Sequence, residues 1–499
     1  MIRFEVPGKP ALRIAAIFIA AAAVFLSGCT AGTPGMAPQA AADLPSAKPA
    51  GADLSPAALR EHRRILANYG GEYKNDRLSA MLQNLVERLV AASDRPDLHY
   101  RVTILNSQSV NAFALPTGQL YVTRGLLALA NDQSELASVI GHEMGHVIAR
   151  HAELRQERIR DAELSSRVFT DLVSDPEAGA LALAKTKLEL ASFSQEQELE
   201  ADAIGIGIAA RAGFDPYGSV RFLTSLERNS ELKPPHGGHI NPGAADFLSS
   251  HPETPERIAK ALAVARQYKA PASDSPADMR QARNAYLADI DGIVFGEDPS
   301  EGFVRGRRFI HPRLGFTFSA PPGFVLDNTA QAVLGIKRGG GEALRLDVVR
   351  VPAEQTLASY LTSGWIENID PASVHELSVN GFEGAGANAK GDEWDFRLYA
   401  IRFGSDVYRF VFAAKHPDHE TERIFRDSVY SFRRLSLAEM EEAKPLRLKV
   451  VTVAPADSVE KLASHMAVAD RPLERFRVIN GLGAAERPKP GTEVKVVVE

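Results

Sequence analysis

Hydrophobic residues between positions 133 and 148 recur with the spacing of an amphipathic helix. The apolar positions that would form its buried stripe are Leu136, Val139, Ile140, Met144 and Val147. Asn131-Asp132 followed by Glu135 is typical of a helix N-terminus with a capping pair. The pattern therefore predicts a helix that begins near residue 132 and buries one face.

Two other stretches have the composition of β-strands. The segment from Asn111 to Thr123 is rich in strand-favouring residues and contains Pro116, which predicts an edge strand or a turn. Residues 303–437 contain strand-like runs, a Gly-Ser-Asp turn at 404–406 and helix-like runs at 356–366 and 420–432. They predict a small α+β domain with an antiparallel sheet, in which no catalytic set of residues is visible. Docking of a substrate or partner is its expected role.

The first 28 residues have the pattern of a bacterial export signal. Three basic residues precede an apolar run at 14–25 that is too short for an ordinary membrane span. The run ends in Leu-Ser-Gly-Cys at 26–29, which resembles a lipobox, and Cys29 is the only cysteine of the chain. We expect a lipoprotein that is anchored through acyl chains on Cys29 and continues as a flexible tether to residue 55. Thr30, which follows the cysteine, favours the outer membrane.

Composition narrows the class of protein. The formal net charge is −6, and 45% of the residues are hydrophobic, which is ordinary for a globular protein. This acidic balance argues against nucleic-acid binding, which favours basic surfaces. Because one cysteine allows no internal disulfide, each domain must be held together by its hydrophobic core.

The helix predicted after residue 132 carries His142 and His146, with Glu143 beside the first histidine. Side chains four residues apart share a helical face, so both imidazoles can reach one metal ion. Glu143 points about 100° round the helix, where it can accept a proton from a water on that ion. This is the His-Glu-x-x-His arrangement of zinc peptidases; the alternative is a helix with two surface histidines.

A catalytic zinc usually has three protein ligands, and the acidic run at 194–202 is the best source of the third. Glu196, Glu198 and Glu200 are all candidates, and the residues alone do not choose among them. Glu198 and Asp202 share a helical face, so one could bind the metal while the other accepts a hydrogen bond from a liganding histidine. The alternative is a solvated acidic face.

Together these segments resemble peptidase family M48, in its periplasmic lipoprotein branch. The resemblance covers residues 56–270. It rests on the His-Glu-x-x-His helix, on Glu-x-Glu-Ala-Asp at 198–202 and on Asn-Ala-Phe-Ala-Leu-Pro at 111–116. It implies one Zn²⁺ per chain, held by His142, His146 and Glu198. Asp202 would support a ligand, and Glu143 would be the catalytic base.

The resemblance also implies a role for the segment that includes Asn111, Ala112, Phe113 and Ala114. An extended substrate would pair with it as an added strand, whereas composition alone is equally compatible with an ordinary edge strand.

A further element is His251, which precedes a proline at the start of a predicted helix. The resemblance implies a switchable fourth ligand or a group that stabilises the oxyanion; the alternative is a surface histidine. Arg257 is a second candidate for the oxyanion role. His151, His236 and His239 are expected to be structural or solvated.

The C-terminal residues 440–499 resemble a degenerate LysM module, with a predicted strand–helix–helix–strand order. Such modules bind N-acetylglucosamine polymers, which makes peptidoglycan a candidate partner. Ala456 stands where glycine is usual, in the loop that would contact the glycan.

We therefore expect an α+β multidomain protein. The predicted parts are a signal peptide (1–28), a tether (29–55), a mainly helical zincin-type metallopeptidase domain with a small edge sheet (56–270), a linker with a helix (271–302), an antiparallel α+β domain (303–437) and the βααβ LysM-like module (440–499). The expected function is that of a membrane-anchored periplasmic zinc endopeptidase acting on unfolded or misassembled envelope proteins. The alternative is a chaperone-like or cell-wall-binding scaffold lipoprotein with weak or blocked proteolysis.

Overall fold

Helices and a small sheet form the first half of the chain in the computed structural model, which describes residues 55–173, 192–232, 246–252, 255–269, 276–468 and 470–499. The elements are α1 Pro56–Asn68, α2 Asp76–Ala92, β1 Arg101–Leu105, β2 Ala112–Leu115, β3 Gln119–Thr123, α3 Arg124–Leu129, α4 Gln133–Ile148, α5 His151–Val173, α6 Gln195–Arg211, α7 Gly218–Glu231, α8 Phe247–Ser250, α9 Pro255–Ala265, α10 Pro276–Ile290 and β4 Val294–Phe295.

Helix α4 is the predicted amphipathic helix, and its start is the predicted one. The side chain of Asp132 accepts a hydrogen bond from the backbone N–H of Glu135, and the Glu135 carboxylate accepts one from the N–H of Asn131. Of the five stripe residues, four are buried and Val147 is half-buried. The hydrophobic pattern and the capping pair are thus confirmed.

The small sheet has the order β1-β3-β2, so β2 is an edge strand. Strand β1 runs parallel to β3, whereas β2 and β3 form an antiparallel hairpin in which Phe113 pairs with Tyr121. The hairpin turns at residues 116–118, where Gly118 has a φ of 82°, a conformation that glycine adopts without strain. The predicted edge strand and turn are both present, and β2 packs against α4.

Residues 303–435, here called the sheet region, are mostly antiparallel strands, as predicted. The elements are β5 Phe303–Arg305, β6 Arg308–His311, β7 Phe316–Ser319, β8 Phe324–Asn328, β9 Val333–Lys337, β10 Glu342–Val349, α11 Leu357–Leu361, β11 Ile369–Val379, β12 Phe382–Lys390, β13 Asp395–Phe403, β14 Asp406–Ala414, α12 His419–Tyr430 and β15 Arg433–Arg434. A seven-stranded sheet has the order β11-β12-β13-β14-β10-β9-β8, and a four-stranded sheet the order β15-β7-β6-β5. The helix predicted at 356–366 is shorter than expected, since α11 ends at Leu361.

The C-terminal elements pack into the same core as the first half of the chain. They are α13 Leu437–Glu442, β16 Leu446–Thr452, α14 Val459–Ser464, α15 Pro472–Ile479 and β17 Glu493–Val498. Strand β16 pairs with both β17 and β4, and residues such as Leu448, Phe476 and Val497 belong to one hydrophobic cluster with Ile140 and Tyr286. Residues 56–295 and 446–499 are therefore called the helical region. The order from β16 to β17 is strand–helix–helix–strand; the LysM relationship stays a prediction.

Within the described residues, no helix combines the length and the apolar character that crossing a bilayer requires.

Candidate active site

Small residues let the two helices that carry the site approach closely. Gly141 and Gly145 of α4 face Gly205 and Ala201 of α6. A Cβ atom added to Gly145 would lie 2.9 Å from the carbonyl oxygen of Ala201, and one added to Gly205 would lie 2.5 Å from the backbone nitrogen of His142. Because such contacts are too short for real Cβ atoms, larger residues would separate the helices. The glycine next to His146 in the motif is thus part of what brings the site together.

Four side chains converge where α4 and α6 meet. The Nε2 atoms of His142 and His146 lie 3.0 Å apart, and each is 3.5 Å from the carboxylate of Glu198. His251, just after α8, brings its Nδ1 to 3.0 Å from Glu198 Oε1 and 3.3 Å from His142 Nε2. The four ligand atoms lie within 4.8 Å of one another, and all four residues are buried. Of the three glutamates left open by the sequence, Glu198 is the one in this cluster.

The electrostatics of the cluster are those of a cation site. Burial lowers the pKa of His142 and His146, and it lowers the pKa of His251 to about 3, so the rings are neutral. Because the Nδ1 of His142 faces a carboxylate, Nδ1 carries the proton of the ring and Nε2 has only a lone pair. This lone pair points at other hydrogen-bond acceptors of the cluster, which is unfavourable unless a cation lies among them. Glu198 Oε2 has no hydrogen-bond partner among the described residues. Imidazole nitrogens with a carboxylate oxygen are a donor set that Zn²⁺ takes, so these residues fit the ion.

Asp202 and Arg257 fix the orientation of the His142 ring from its Nδ1 side. The Nδ1 of His142 lies 2.8 Å from Asp202 Oδ1, and Arg257 donates from Nε and Nη2 to the two oxygens of Asp202, each at 2.9 Å. Arg257 Nη1 also lies 2.7 Å from Glu198 Oε2. The two groups form an ion pair, but the angles of the contact are not those of a hydrogen bond. Burial favours a higher pKa for Asp202, but the bonds from His142 and Arg257 outweigh it and hold the pKa at about 2. This fixed anion keeps the His142 proton on Nδ1 and leaves Nε2 for a metal.

His146 has a different set of neighbours, which the sequence reasoning missed. Its Nδ1 lies 2.9 Å from the Nδ1 of His151, whose Nε2 lies 3.2 Å from Glu200 Oε2. The ring of Phe193 stacks on His146 at a centroid distance of 4.0 Å. His151 was expected to be structural or solvated; it is 2% exposed and contacts a residue of the motif. His151 and Phe193, the two direct neighbours of His146, lie outside the motifs, so no sequence signal identified them.

Glu143 faces the cleft beside the cluster. Burial, with the negative charge of Glu198 as a further cause, raises its pKa well above the ordinary value. Its Oε1 lies 3.6 Å from His251 Nε2 and has no hydrogen-bond partner among the described residues. The carboxylate is therefore available to a group that enters the cleft.

The cleft itself has a volume of about 130 Å³ and lies between the edge strand and the cluster. Phe113 and Ala114 of β2 line it, together with Phe193, Glu143 and other residues around the cluster. Of the remaining predicted strand residues, Ala112 is fully buried, and Asn111 precedes β2 and donates from Nδ2 to the hydroxyl of Tyr69. The structure thus brings two of the four to the cleft.

Size alone does not identify the site. A larger cavity of about 610 Å³ is lined by residues of α7, α10 and the start of α4, with Asn480 and Gly481 from the C-terminal elements. It contains no converging set of metal ligands among the described residues. Cys29, His236 and His239 lie outside the described residues.

Comparison with known proteins identifies what the chain is similar to. A sequence profile described as Peptidase family M48 matches residues 76–265. The beta-barrel assembly-enhancing protease of Yersinia pestis is 32% identical over 344 residues, which is 60% of this chain and 68% of that protein. The protein of the same name from Escherichia coli K12 is 30% identical over 223 residues, which is 42% of each chain.

Mitochondrial metalloendopeptidases match over shorter segments. The mitochondrial metalloendopeptidase OMA1 of Schizosaccharomyces pombe is 28% identical over 98 residues, which is 18% of this chain and 28% of that protein. The chain spans about half the length, or less, of several curated relatives that it matches, including those from Vibrio cholerae, Schizosaccharomyces pombe and Escherichia coli K12.

Proposed function

This chain belongs to peptidase family M48, and from that premise we propose that it is a zinc endopeptidase that cleaves proteins of the bacterial envelope. The observation that carries the proposal is the buried cluster of His142, His146, Glu198 and His251, with Glu143 at its edge. Burying this many ionisable groups costs stability, and a bound cation with a chemical task accounts for the cost.

In this proposal His142, His146 and Glu198 hold the ion, through the two Nε2 atoms and a carboxylate oxygen. When bound, Zn²⁺ supplies Lewis-acid chemistry, because it polarises a water molecule and the scissile carbonyl group. Asp202 keeps His142 in the tautomer that this arrangement needs. Arg257 contacts the outer side of both carboxylates, which favours a positioning role for it over the oxyanion role expected from the sequence.

Glu143 is the proposed proton carrier. A carboxylate with a raised pKa accepts a proton near neutral pH and can return it, which is what a general base that later serves as an acid must do. Its Oε1 faces the cleft, and we propose that it takes the proton from the attacking water and delivers it to the leaving amine. His251, 3.6 Å away, is near enough to stabilise charge that develops in the same place.

The substrate is proposed to bind along β2. This strand is paired only with β3, and its other edge has no partner strand among the described residues. An extended peptide can add to such an edge through backbone hydrogen bonds, next to the side chains of Phe113 and Ala114 in the cleft. Sequence-tolerant binding of this kind suits a protease for unfolded or misassembled proteins.

A second function is favoured by one observation. His251 Nδ1 lies among the other ligand atoms, where it could fill the position that a catalytic zinc keeps open. In a scaffold or chaperone-like lipoprotein with blocked proteolysis, His251 would occupy this position permanently. In a switchable enzyme, His251 would occupy it only in the inactive state.

The test is the Glu143→Gln variant, which keeps the size of the side chain. We expect one zinc per chain in parent and variant, and a 10²–10⁴-fold slower cleavage of unfolded casein by the variant. Glu157→Gln, at an exposed position of α5, is the matched control and should cleave like the parent. If the Glu143→Gln variant digests casein at the parental rate, the assignment fails. The same measurements on a His251→Ala variant test the second function. If the parent and His251→Ala both bind one zinc per chain and neither cleaves casein, the scaffold function is favoured.

The cellular setting is proposed from the relatives and from the N-terminal sequence. Relatives named beta-barrel assembly-enhancing proteases suggest outer-membrane proteins as substrates, and the lipobox-like segment suggests a periplasmic enzyme anchored through Cys29, on the outer membrane. A Cys29→Ala variant should then leave the membrane fraction; unchanged fractionation would contradict the anchor. Peptidoglycan stays a candidate partner, and retention of the full chain on purified cell wall tests it.

A further inference from the structure

We propose that His151 and Glu200 are positioning residues that fix the orientation and the tautomer of His146, and that they thereby determine how firmly the site binds zinc. The proposal rests on the zinc site of the proposed function. It assigns a task to His151, which lies outside the motifs of the sequence, and to Glu200, the second glutamate of the Glu-x-Glu-Ala-Asp motif, which is not one of the proposed zinc ligands.

A break in the helix puts His151 in contact with His146. Five residues along a regular helix correspond to a rotation of about 140°, so the two rings would point in different directions if α4 continued. Instead α4 ends at Ile148, and Arg150 has a φ of 58° before α5 begins at His151. A left-handed conformation is unfavourable for arginine. It is retained here at the turn that brings the His151 ring back onto His146.

The hydrogen bonds between these residues can run in only one direction. A neutral His146 that binds the metal through Nε2 must carry its proton on Nδ1. The partner of that proton is the Nδ1 of His151, 2.9 Å away, which must therefore accept. A neutral His151 then carries its own proton on Nε2, and this nitrogen faces Glu200 Oε2 at 3.2 Å. Metal, His146, His151 and Glu200 thus form one chain in which every donor has an acceptor.

Burial makes this chain more than a packing contact. His146 is 4% exposed and His151 is 2% exposed, so water cannot easily replace a lost partner of Nδ1. An apolar residue at 151 would leave the Nδ1–H of His146 unsatisfied, or would let the ring turn its proton toward the metal. Either change weakens binding of a cation by Nε2. Partners that hold a liganding histidine in this way typically contribute 10–100-fold to metal affinity.

Three variants separate hydrogen bonding from packing, and a fourth, Glu196→Gln, is the matched control. His151→Phe keeps a ring beside Phe193 and removes both nitrogens. His151→Asn places an oxygen near the position of Nδ1, so it can still accept from His146, but it does not reach Glu200. Glu200→Gln weakens only the outer link, and Glu196→Gln makes the same chemical change at an exposed position of α6.

The readout is the zinc dissociation constant of the full chain, measured with zinc alone by competition with a chromophoric chelator. We expect 10–100-fold weaker binding for His151→Phe and a change of at most about threefold for His151→Asn. Glu200→Gln should weaken binding by about threefold or less, because its carboxylate is 60% exposed and screened by water, and Glu196→Gln should have no effect. The absorption spectrum of the cobalt-substituted protein should shift for His151→Phe and stay near that of the parent for His151→Asn.

Two results would overturn the proposal. One is a folded His151→Phe variant with the zinc affinity of the parent, and the other is a His151→Asn variant as weak as His151→Phe, which would make the contact steric. If His151→Phe does not fold, His151→Ala takes its place in the same comparison. A parent chain that binds no zinc would refute the proposed function as well, whereas normal zinc binding in all variants would refute this inference alone.

Discussion

The helical region and the sheet region each bury an aspartate against an arginine, but the two carboxylates differ in what else they hold. Asp202 accepts two hydrogen bonds from Arg257 and a third from the ring of His142. Asp347 accepts two from Arg409 and a third from Arg345. In the sheet region the anion only balances cations, whereas in the helical region it also orients a ring at the metal-binding cluster. Similar ion pairs can thus have different roles: that of Asp347 stabilises the fold, whereas that of Asp202 stabilises the fold and also orients a proposed metal ligand.

The rest of the two interiors differs in the same way. The core of the sheet region is apolar and consists of one cluster rich in aromatic residues and one aliphatic cluster. Its buried polar residues are His311, Thr317, Asp347 and Ser428. The helical region buries many more ionisable side chains, including His142, Glu143, Glu198 and Arg257. Hydrophobic packing accounts for the first interior. The second contains groups whose burial costs free energy, and a functional site explains why they are there.

The largest effect is predicted for Asp202→Ala. The variant leaves the buried Arg257 without its main partner, so the free energy of unfolding should fall by about 3–5 kcal/mol. Zinc affinity should fall about 10–100-fold, because His142 loses the acceptor of its Nδ1 proton. Denaturant unfolding and chelator competition measure the two effects.

Asp347→Ala is the matched control for this prediction. It should lower the free energy of unfolding by about 1–3 kcal/mol, because charged hydrogen bonds are lost, and leave zinc affinity unchanged. Equal zinc affinities for Asp202→Ala and the parent would remove the functional difference between the two aspartates.

Local patterns predicted several elements of each region. The helix start at Asp132 was identified from a few residues, and Pro116 indicated an edge strand or a turn. The convergence of His142, His146 and Glu198 was predicted as well, because spacing fixes the two histidines and family resemblance selected Glu198 among three glutamates. The contact between His151 and His146 was not predictable, since it depends on the left-handed Arg150 at a helix break. Nor was the packing of the C-terminal elements into the first core, because contacts between residues hundreds of positions apart leave no periodic signal.

Lys495 represents such a long-range contact, and its replacement by methionine is the next prediction. Its Nζ is fully buried and donates to the carbonyl oxygens of Ala128, Leu129 and Ala130, at 2.9, 3.2 and 2.7 Å. These three acceptors end α3 just before the active-site helix. Without Lys495 they lose a buried partner, so we expect the helical region to lose roughly 2–4 kcal/mol of stability.

Two optical probes distinguish the regions in this experiment. Both tryptophans, Trp365 and Trp394, lie in the sheet region, so their fluorescence follows its unfolding, whereas far-ultraviolet circular dichroism mainly follows the helices. For Lys495→Met the dichroism midpoint should move to lower denaturant while the fluorescence midpoint stays. Equal shifts of both midpoints would mean that the regions unfold as one unit. The two regions would then have no separate stabilities to compare.

A smaller, pH-dependent effect is predicted for Glu135, which lies in the first turn of α4 and accepts a hydrogen bond from the N–H of Asn131. Burial raises its pKa to about 7, compared with about 4.3 in an unfolded chain. The folded protein therefore holds a proton that the unfolded chain has already released between these two values. The contribution of Glu135 to stability is fully present below about pH 4.3 and is lost as pH rises through about 7. Glu135→Gln should flatten the decline of the unfolding free energy over this range, whereas Glu157→Gln should not; an unchanged slope would contradict the shift.

The smallest effect is predicted for Lys449→Met, on the strand paired with that of Lys495. Lys449 pairs with Val496 across the two strands, and its Nζ lies 2.8 Å from Asp291 Oδ2 with the lysine side chain 54% exposed. An exposed ion pair contributes about 0.2–1 kcal/mol, because water screens the charges and the long side chain loses entropy. The same substitution should therefore cost several times less here than at Lys495, as measured by dichroism-detected unfolding. A loss at Lys449 as large as that at Lys495 would show that burial of the ammonium group is not what makes Lys495 important.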